Sequence, residues 1–198
     1  TVLLDDVTGE PVVPPGTLGH RWDGEEGNWN LDLGDVVPAL GLGAHSTGAV
    51  EIDLARFDAG DTEGGTTVRS GVPVREVGGR LVTTVYDLVM AQYGVRHRDD
   101  LPGVWPTGYD DADAPNTPAW SERITGVPAS LAAKIGREFA RNAERSKGRS
   151  MIAMGAGANQ WFHSDMTYRA FISLVTLTGC QGVNGGGWAH YVGQEKAR

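Results

Sequence analysis

The sequence holds a single cysteine, Cys180. That excludes an internal disulfide, and it excludes an iron–sulfur cluster held by this chain alone, since such clusters usually take four thiolates. No apolar run approaches the roughly 18 residues that a bilayer-spanning helix requires, and no signal peptide opens the chain, so a soluble polypeptide without disulfide staples is expected. Cations are also in short supply, with 17 Lys and Arg against 25 Asp and Glu and a net charge of −8. Nucleic acid and anionic membranes both call for a basic face, so neither is an expected partner. The shortage is local. Residues 1–65 carry thirteen acids and only Arg21 and Arg56, whereas residues 66–198 carry twelve acids and fifteen bases.

What is plentiful is glycine, 29 residues, which with 10 prolines makes about a fifth of the 198 positions. That content predicts many turns and long loops, and a hydrophobic share of 40% fits ordinary globular composition. The chain opens on Thr1 and runs to Arg198 with both ends reading as cut, so a piece of a longer polypeptide is expected. Residues 1–67 show almost no sustained periodicity. Turn punctuation runs through Thr8-Gly9, Pro14-Pro15-Gly16, the Gly24 to Gly27 stretch, Gly41, Gly43, Gly48, Gly60, Gly64 and Gly65. Short apolar runs, Val2 to Leu4 and Val36 to Leu42, suit edge strands or anchor points. The expectation is an acidic, mostly irregular segment lying over neighbouring domains, with Trp22, Trp29 and Phe57 arguing against a solvated tail.

Residues 68–198 are more regular. Val72, Val74 and Val77 read as a strand and Leu81 to Val89 as a second strand running into a helix, with a hairpin through Gly78-Gly79 between them. Residues 99–119 return to loop. Leu131, Ile135 and Phe139 recur at helical spacing, predicting an amphipathic helix over 129–145 that Gly148 ends. Met151 to Met154 reads as a strand buried on both faces, stopped by Gly155-Ala156-Gly157. Ser164 or Asp165 is expected to cap a helix over Met166 to Thr178, apolar nearly all round, with Gly179 as its C-terminal cap. Helix, buried strand, glycine turn and helix in that order predict an α/β unit with a parallel sheet in the C-terminal half.

A glycine turn leaving a strand lets backbone N–H groups approach an anion, helped by the following helix N-terminus. Gly155 and Gly157 supply two glycines, but Gln160 stands at the third dinucleotide-fingerprint position and no acid follows near residue 180. A nicotinamide site is therefore disfavoured. A phosphate or heterocycle contact and a structural turn both remain open. Asn159, Gln160, Trp161, Phe162 and His163 place amides beside aromatics, which suits a flat hydrogen-bonding ligand or simple closure of a core. His163 and Asp165 offer two metal ligands where three or four are needed, and Ser164 beside His163 is no sign of a nucleophilic triad. Gly185, Gly186 and Gly187 imply either close backbone approach or a hinge. His190, beside Trp188 and Tyr191, is a candidate donor to a ligand, and Cys180 reads as a buried, inert thiol.

The segment GRSMIAMGAGANQWFHSDMTYRAF, followed by GCQGVNGGGWAHYVGQEK, resembles the catalytic (alpha) subunits of membrane-bound respiratory nitrate reductases, a branch of the molybdopterin oxidoreductases related to dimethyl sulfoxide reductase. LVTTVYDLVMAQYGV, TPAWSERITGVP and LLDDVTGEPVVPPGTLGHRW look like the same subunits. The resemblance implies a multidomain α/β oxidoreductase holding molybdenum between two molybdopterin guanine dinucleotides, with one 4Fe-4S cluster ligated outside this chain. It implies reduction of nitrate to nitrite with electrons from quinol, delivered through an iron–sulfur beta subunit and a haem-bearing membrane gamma subunit, and membrane association through those partners on the cytoplasmic face. It implies that Gly155, Gly157, Asn159, Gln160, Trp161, His163, Gly185, Gly186, Gly187, Trp188 and His190 line one wall of the cofactor site, with no residue here catalytic or metal-ligating. Two positions depart from the family pattern, which often has His at Gln160 and Tyr at Phe162. Two alternatives are a related enzyme acting on another oxyanion and a non-catalytic module whose acidic segment docks a partner subunit.

Overall fold

The computed structural model describes residues 3–13, 33–55 and 67–190. Trp22, Trp29, Phe57, Tyr191, Pro14 to Gly16, Gly24 to Gly27, Gly60, Gly64 and Gly65 lie outside the described residues. The chain forms two units, divided between Ser121 and Glu122. Within the first, an antiparallel ladder joins residues 48–55 to residues 67–74.

In the first unit, β1 (Leu3–Leu4) pairs antiparallel with β2 (Pro11–Val12). The run through Val37 and Ala39 anchors it: Asp6 donates its N–H to the Val37 carbonyl at 2.6 Å, and Ala39 donates to Leu4 at 2.7 Å. β3 (Gly48–Ala55) then pairs antiparallel with β4 (Thr67–Val77), from Gly48 opposite Val74 to Ala55 opposite Thr67. This eight-residue strand lies inside the stretch expected to be irregular. Its cause is a period-two pattern: Val50, Ile52 and Leu54 pack on the buried cluster Val72, Val74 and Ala91. Glu51 and Asp53 face outward instead, 3.7 and 3.3 Å from Arg69. Gly78 (φ 59°) and Gly79 (φ 76°) turn β4 back into β5 (Arg80–Val82), as expected for a two-residue hairpin loop that needs positive φ.

α1 (Val85–Gln92) begins at Thr84, whose hydroxyl accepts from the Asp87 N–H at 3.1 Å and donates to Asp87 Oδ2 at 2.7 Å. Asp87 is 1% exposed. The same Oδ2 accepts the Leu42 N–H at 2.9 Å, and Oδ1 meets His97 Nε2 at 3.0 Å. One carboxylate thus ties the 41–42 loop, the start of α1 and the loop after it. α2 (Pro118–Thr125) straddles the division between the units.

The second unit holds α3 (Ala129–Ser146), β6 (Met151–Met154), α4 (Ser164–Leu177) and β7 (Gly187–His190). β6 and β7 are parallel, with Met151 opposite Gly187 and Met154 opposite His190, so strand, helix, parallel strand is the architecture and the fold is α/β as expected. α3 ends one residue before the expected glycine: Lys147 takes the left-handed cap at φ 56°, and Gly148 (φ 90°) donates its N–H to the Ala143 carbonyl at 2.7 Å. Ser150 fastens β6 to α3 by donating to the Phe139 carbonyl at 2.9 Å while accepting from Asn142. The small core is Ala143, Val175 and Cys180, with Phe139, Ile152 and Trp188 packed against it.

The expectation of a strand buried on both faces is corrected here. Met151 is 48% exposed and only Met154 is buried, because β6 has a single neighbouring strand among the described residues. α4 likewise buries only Val175 and leaves Met166, Ile172 and Leu177 exposed.

Two outcomes follow from the first unit. Asp87→Ala leaves the Leu42 amide and His97 without their acceptor, and costs about 3 kcal/mol, read as lost amide-exchange protection at Leu42 and along α1. Asp5 accepts from the Thr8 hydroxyl at 2.7 Å and from the Val7, Thr8 and Val37 amides, which holds its carboxyl below the ordinary carboxylate value. A lowered folded value adds stability above about pH 4 that is lost on acidification. Asp5→Asn should therefore melt earlier than the parent at neutral pH, with the gap closing in a melting series taken below pH 4.

Candidate site at the carboxyl end of the parallel strands

Met154 and His190 are the last residues of β6 and β7 and stand opposite each other. The chain leaves β6 through Gly155, which is extended at φ −96° and ψ 171°, into a 3-10 turn at Ala156–Gln160. A Cβ on Gly155 or Gly157 would meet no atom within 4 Å. Those glycines therefore face open space at the strand edge where α/β sheets take ligands. Asn159 and Gln160 are exposed on the same turn. Trp161 and Phe162 follow, 77% and 90% exposed, so they do not close a core.

His163 precedes α4 in the left-handed region at φ 55° and ψ 36°, with its ring centroid 3.9 Å from that of Phe162. Its side chain makes no cap hydrogen bond. This corrects the expected cap at Ser164 or Asp165: Ser164 is the first helical residue and Asp165 lies in the first turn, where its charge favours the helix dipole. A non-glycine residue held at positive φ stores roughly 1–3 kcal/mol of strain, a feature that clusters at ligand sites.

The second set of expected residues is split. Trp188 and His190 lie on one side of β7, but only His190 stands at the carboxyl end, whereas Trp188 is mid-strand opposite Ile152 and packs on the small core. Gly185, Gly186 and Gly187 sit at the other end of the strand pair, since Gly187 stands opposite Met151. Four residues of strand, about 10 Å, separate them from Gly155. Their geometry has its own cause. A Cβ on Gly186 would lie 2.0 Å from the Gly148 carbonyl oxygen and 2.9 Å from that of Cys180, while Gly185 and Gly187 both adopt φ 84°. The close backbone approach expected of the triple glycine is thus made to this chain's own turns.

One residue escaped the sequence reading. Tyr168 of α4 lies 5.3 Å from Trp188 and 5.9 Å from His190, ring to ring, and Trp188 lies 5.4 Å from His190. The Tyr168 Oη and Trp188 Nε1 atoms are buried without a hydrogen-bond partner among the described residues. Each such orphan costs about 1–3 kcal/mol. A tyrosine in the interior-facing part of a helix was the available signal, because a buried phenol normally seeks a polar partner. Among the described residues no group of three or more His, Cys, Asp or Glu comes together to hold a metal, and His163 with Asp165 gains no third member.

The two glycine clusters separate by substitution. Gly186→Ala forces the Gly148 carbonyl aside and should cost about 2 kcal/mol or more of stability. Gly155→Ala and Gly157→Ala leave the fold's melting temperature nearly unchanged, so any loss of ligand binding in them reports contact rather than unfolding.

Residues 108–198 match the family profile described as molybdopterin oxidoreductase. The chain is 56% identical over 203 aligned residues to the nitrate reductase alpha subunit of Mycobacterium tuberculosis, covering 99% of this chain and 16% of that protein. It is 43% identical to the nitrate reductase alpha chain of Bacillus subtilis, again over 99% of this chain and 16% of the relative. The alpha subunit of perchlorate reductase from Dechloromonas aromatica is 45% identical over 83 residues, 42% of this chain and 8% of that protein. The chain therefore spans about a sixth of the length of the nitrate reductase subunits it matches. Residues 108–198, which hold the βαβ unit and its open glycine turn, thus belong to a molybdopterin oxidoreductase domain, and the chain as a whole is similar almost end to end to a segment of nitrate reductase alpha subunits.

Proposed function

We propose that this chain forms one wall of the cofactor site in the catalytic subunit of a respiratory nitrate reductase. The observation that carries the reading is the similarity to nitrate reductase alpha subunits over 99% of the chain. The cofactor of this reading is molybdenum bound by two molybdopterin guanine dinucleotides, and when bound it supplies two-electron exchange with an oxyanion. The residues present fit such a group. Gly155 and Gly157 face open space, and Asn159 and Gln160 are exposed on the same turn.

In this reading the backbone N–H groups of Gly155 and Gly157 approach the cofactor. The amides of Asn159 and Gln160 offer paired donors and acceptors to a heterocycle edge. Trp161, His163, Trp188 and His190 bound the same wall, and Gly185, Gly186 and Gly187 serve it by fixing the start of β7. The metal's own ligands and a 4Fe-4S cluster belong to other parts of the subunit. Electrons arrive from quinol through an iron–sulfur beta subunit and a haem-bearing membrane gamma subunit, which hold the assembly at the cytoplasmic face of the membrane. No helix among the described residues is long and apolar enough to cross a membrane. Residues 1–67 pack on neighbouring domains and residues 68–198 carry the cofactor contacts.

A second reading, an enzyme acting on another oxyanion, is supported by the similarity to a perchlorate reductase alpha subunit over 42% of the chain. One experiment tests both. An antibody to this chain is used to isolate the native protein from its source cells, followed by denaturing mass, molybdenum and iron analysis, and assays with reduced viologen. The expected result is a polypeptide several times 21.0 kDa that carries molybdenum and iron and converts nitrate to nitrite faster than it consumes perchlorate or chlorate. A free 21.0 kDa protein without molybdenum overturns the proposal, and preference for another oxyanion selects the second reading. The isolated 198-residue chain is expected to yield no nitrite under the same assay, and nitrite from it would overturn the division of labour.

A further inference from the structure

Asn184 is the one asparagine in the sequence that a glycine follows, and the turn around the pair leaves it free to react with its own backbone. The Gly186 N–H donates to the Val183 carbonyl at 2.9 Å and Gly185 takes φ 84°, which makes Val183 to Gly186 a type II turn with Asn184 and Gly185 at its centre. Asn184 is exposed. Neither its side-chain amide nor the Gly185 N–H has a hydrogen bond among the described residues. The peptide plane between the two residues is therefore held only by the turn bond that spans it. Glycine adopts either sign of φ, so that plane can flip to the type I form, a rotation that brings the Gly185 nitrogen toward the Asn184 side chain.

The other described asparagines lack this combination. Asn142 sits within α3 and donates to the Arg149 carbonyl and to Ser150 Oγ. The amide of Asn116 packs against Gly94, and the next N–H, that of Thr117, donates to the Ala114 carbonyl at 3.1 Å. Asn159 is exposed but precedes Gln160, whose Cβ crowds its nitrogen. We propose that Asn184 is a self-modification site, converted by water to isoaspartate and aspartate through a cyclic imide with Gly185. In the first step the Gly185 nitrogen loses its proton and bonds to Asn184 Cγ, and the side-chain nitrogen leaves with that proton as ammonia. Water then adds to either imide carbonyl and opens the ring. One water enters and one ammonia leaves, with no change of oxidation state. Opening toward isoaspartate routes the main chain through the side chain and lengthens it by one carbon. The turn cannot absorb that carbon freely, because Gly186 already rests against the Gly148 carbonyl and the next N–H, that of Gly187, starts the strand pair on Ser150.

The test uses the full-length subunit with its partner subunits, as parent and as Asn184→Gln, stored at physiological temperature at neutral and at mildly alkaline pH. Peptide mapping reads the gain of about 1 Da that marks each converted amide, and synthetic standards separate the aspartyl from the isoaspartyl peptide. Conversion at Asn184 should outrun that at Asn159 by about tenfold or more, quicken with pH as the attacking nitrogen is deprotonated, and vanish at position 184 in Asn184→Gln, whose longer side chain closes a less favourable ring. An unchanged Asn184, or one converting no faster than Asn159, overturns the proposal. Isoaspartyl protein, separated from the parent, should melt lower and lose amide-exchange protection at Gly187 first, whereas freshly made Asn184→Asp, which has the charge without the extra carbon, should melt with the parent. Equal melting of all three would overturn the link between this modification and the strand register. Because Asn184 is followed in the parent at two pH values, a poorly folding variant leaves the outcome readable.

Discussion

The second unit depends on a contact between pieces of backbone that leaves no room for a methyl group. Gly148, leaving α3, lies so close to the turn after α4 that a Cβ there would stand 2.6 Å from the Gly179 carbonyl oxygen. Gly186, entering β7, is closer still to Gly148. Three chain reversals therefore meet at the amino end of the strand pair. The N–H of Gly187 donates to the Ser150 carbonyl at 3.0 Å there, beginning the parallel ladder. With only four residues per strand, β6 and β7 have few ladder bonds with which to choose a register. The glycine contact chooses it for them, and so decides that His190 rather than Ala189 ends level with Met154.

The first unit solves the same problem with a side chain. Asp87 offers two carboxylate oxygens to Thr84, Leu42 and His97, joining segments 45 residues apart in sequence. A buried carboxylate is costly unless its lone pairs are used, and here hydroxyl, amide and imidazole use them. Gly41 passes close enough that a Cβ would lie 2.9 Å from Asp87 Oδ1, so the loop's path and the carboxylate's position constrain each other. Backbone contact and buried charge do equivalent work in the two units, and both are intolerant of small changes.

Much of this was legible in the sequence where the signal was local. The Gly78-Gly79 hairpin, the spacing of Leu131, Ile135 and Phe139 in α3, and the apolar run ending at Gly155 each predicted the element found. β3 was missed because its alternation of Val50, Ile52 and Leu54 is only three apolar residues long within a glycine- and acid-rich stretch. β7 was missed for a different reason. Gly187–His190 has no β-branched residue and becomes a strand only by pairing with β6, a non-local event. The candidate residues could be named from the sequence as a set, but their geometry could not. Sequence proximity grouped Gly185 to Gly187 with His190, whereas the strand direction carries them to opposite ends. Tyr168 went unnoticed because its partners lie some twenty residues away on β7.

The carboxyl end has the opposite character to the glycine-packed end. Trp161 and Phe162 are among the most exposed large side chains described, and His163 is held at positive φ. Both features are unfavourable taken alone, as exposed aromatic surface and backbone strain. They follow the last residue of β6 and glycines that face open space, so an occupant lying over this edge would cover the rings and rest on open backbone, which is the physical argument behind the proposed cofactor wall.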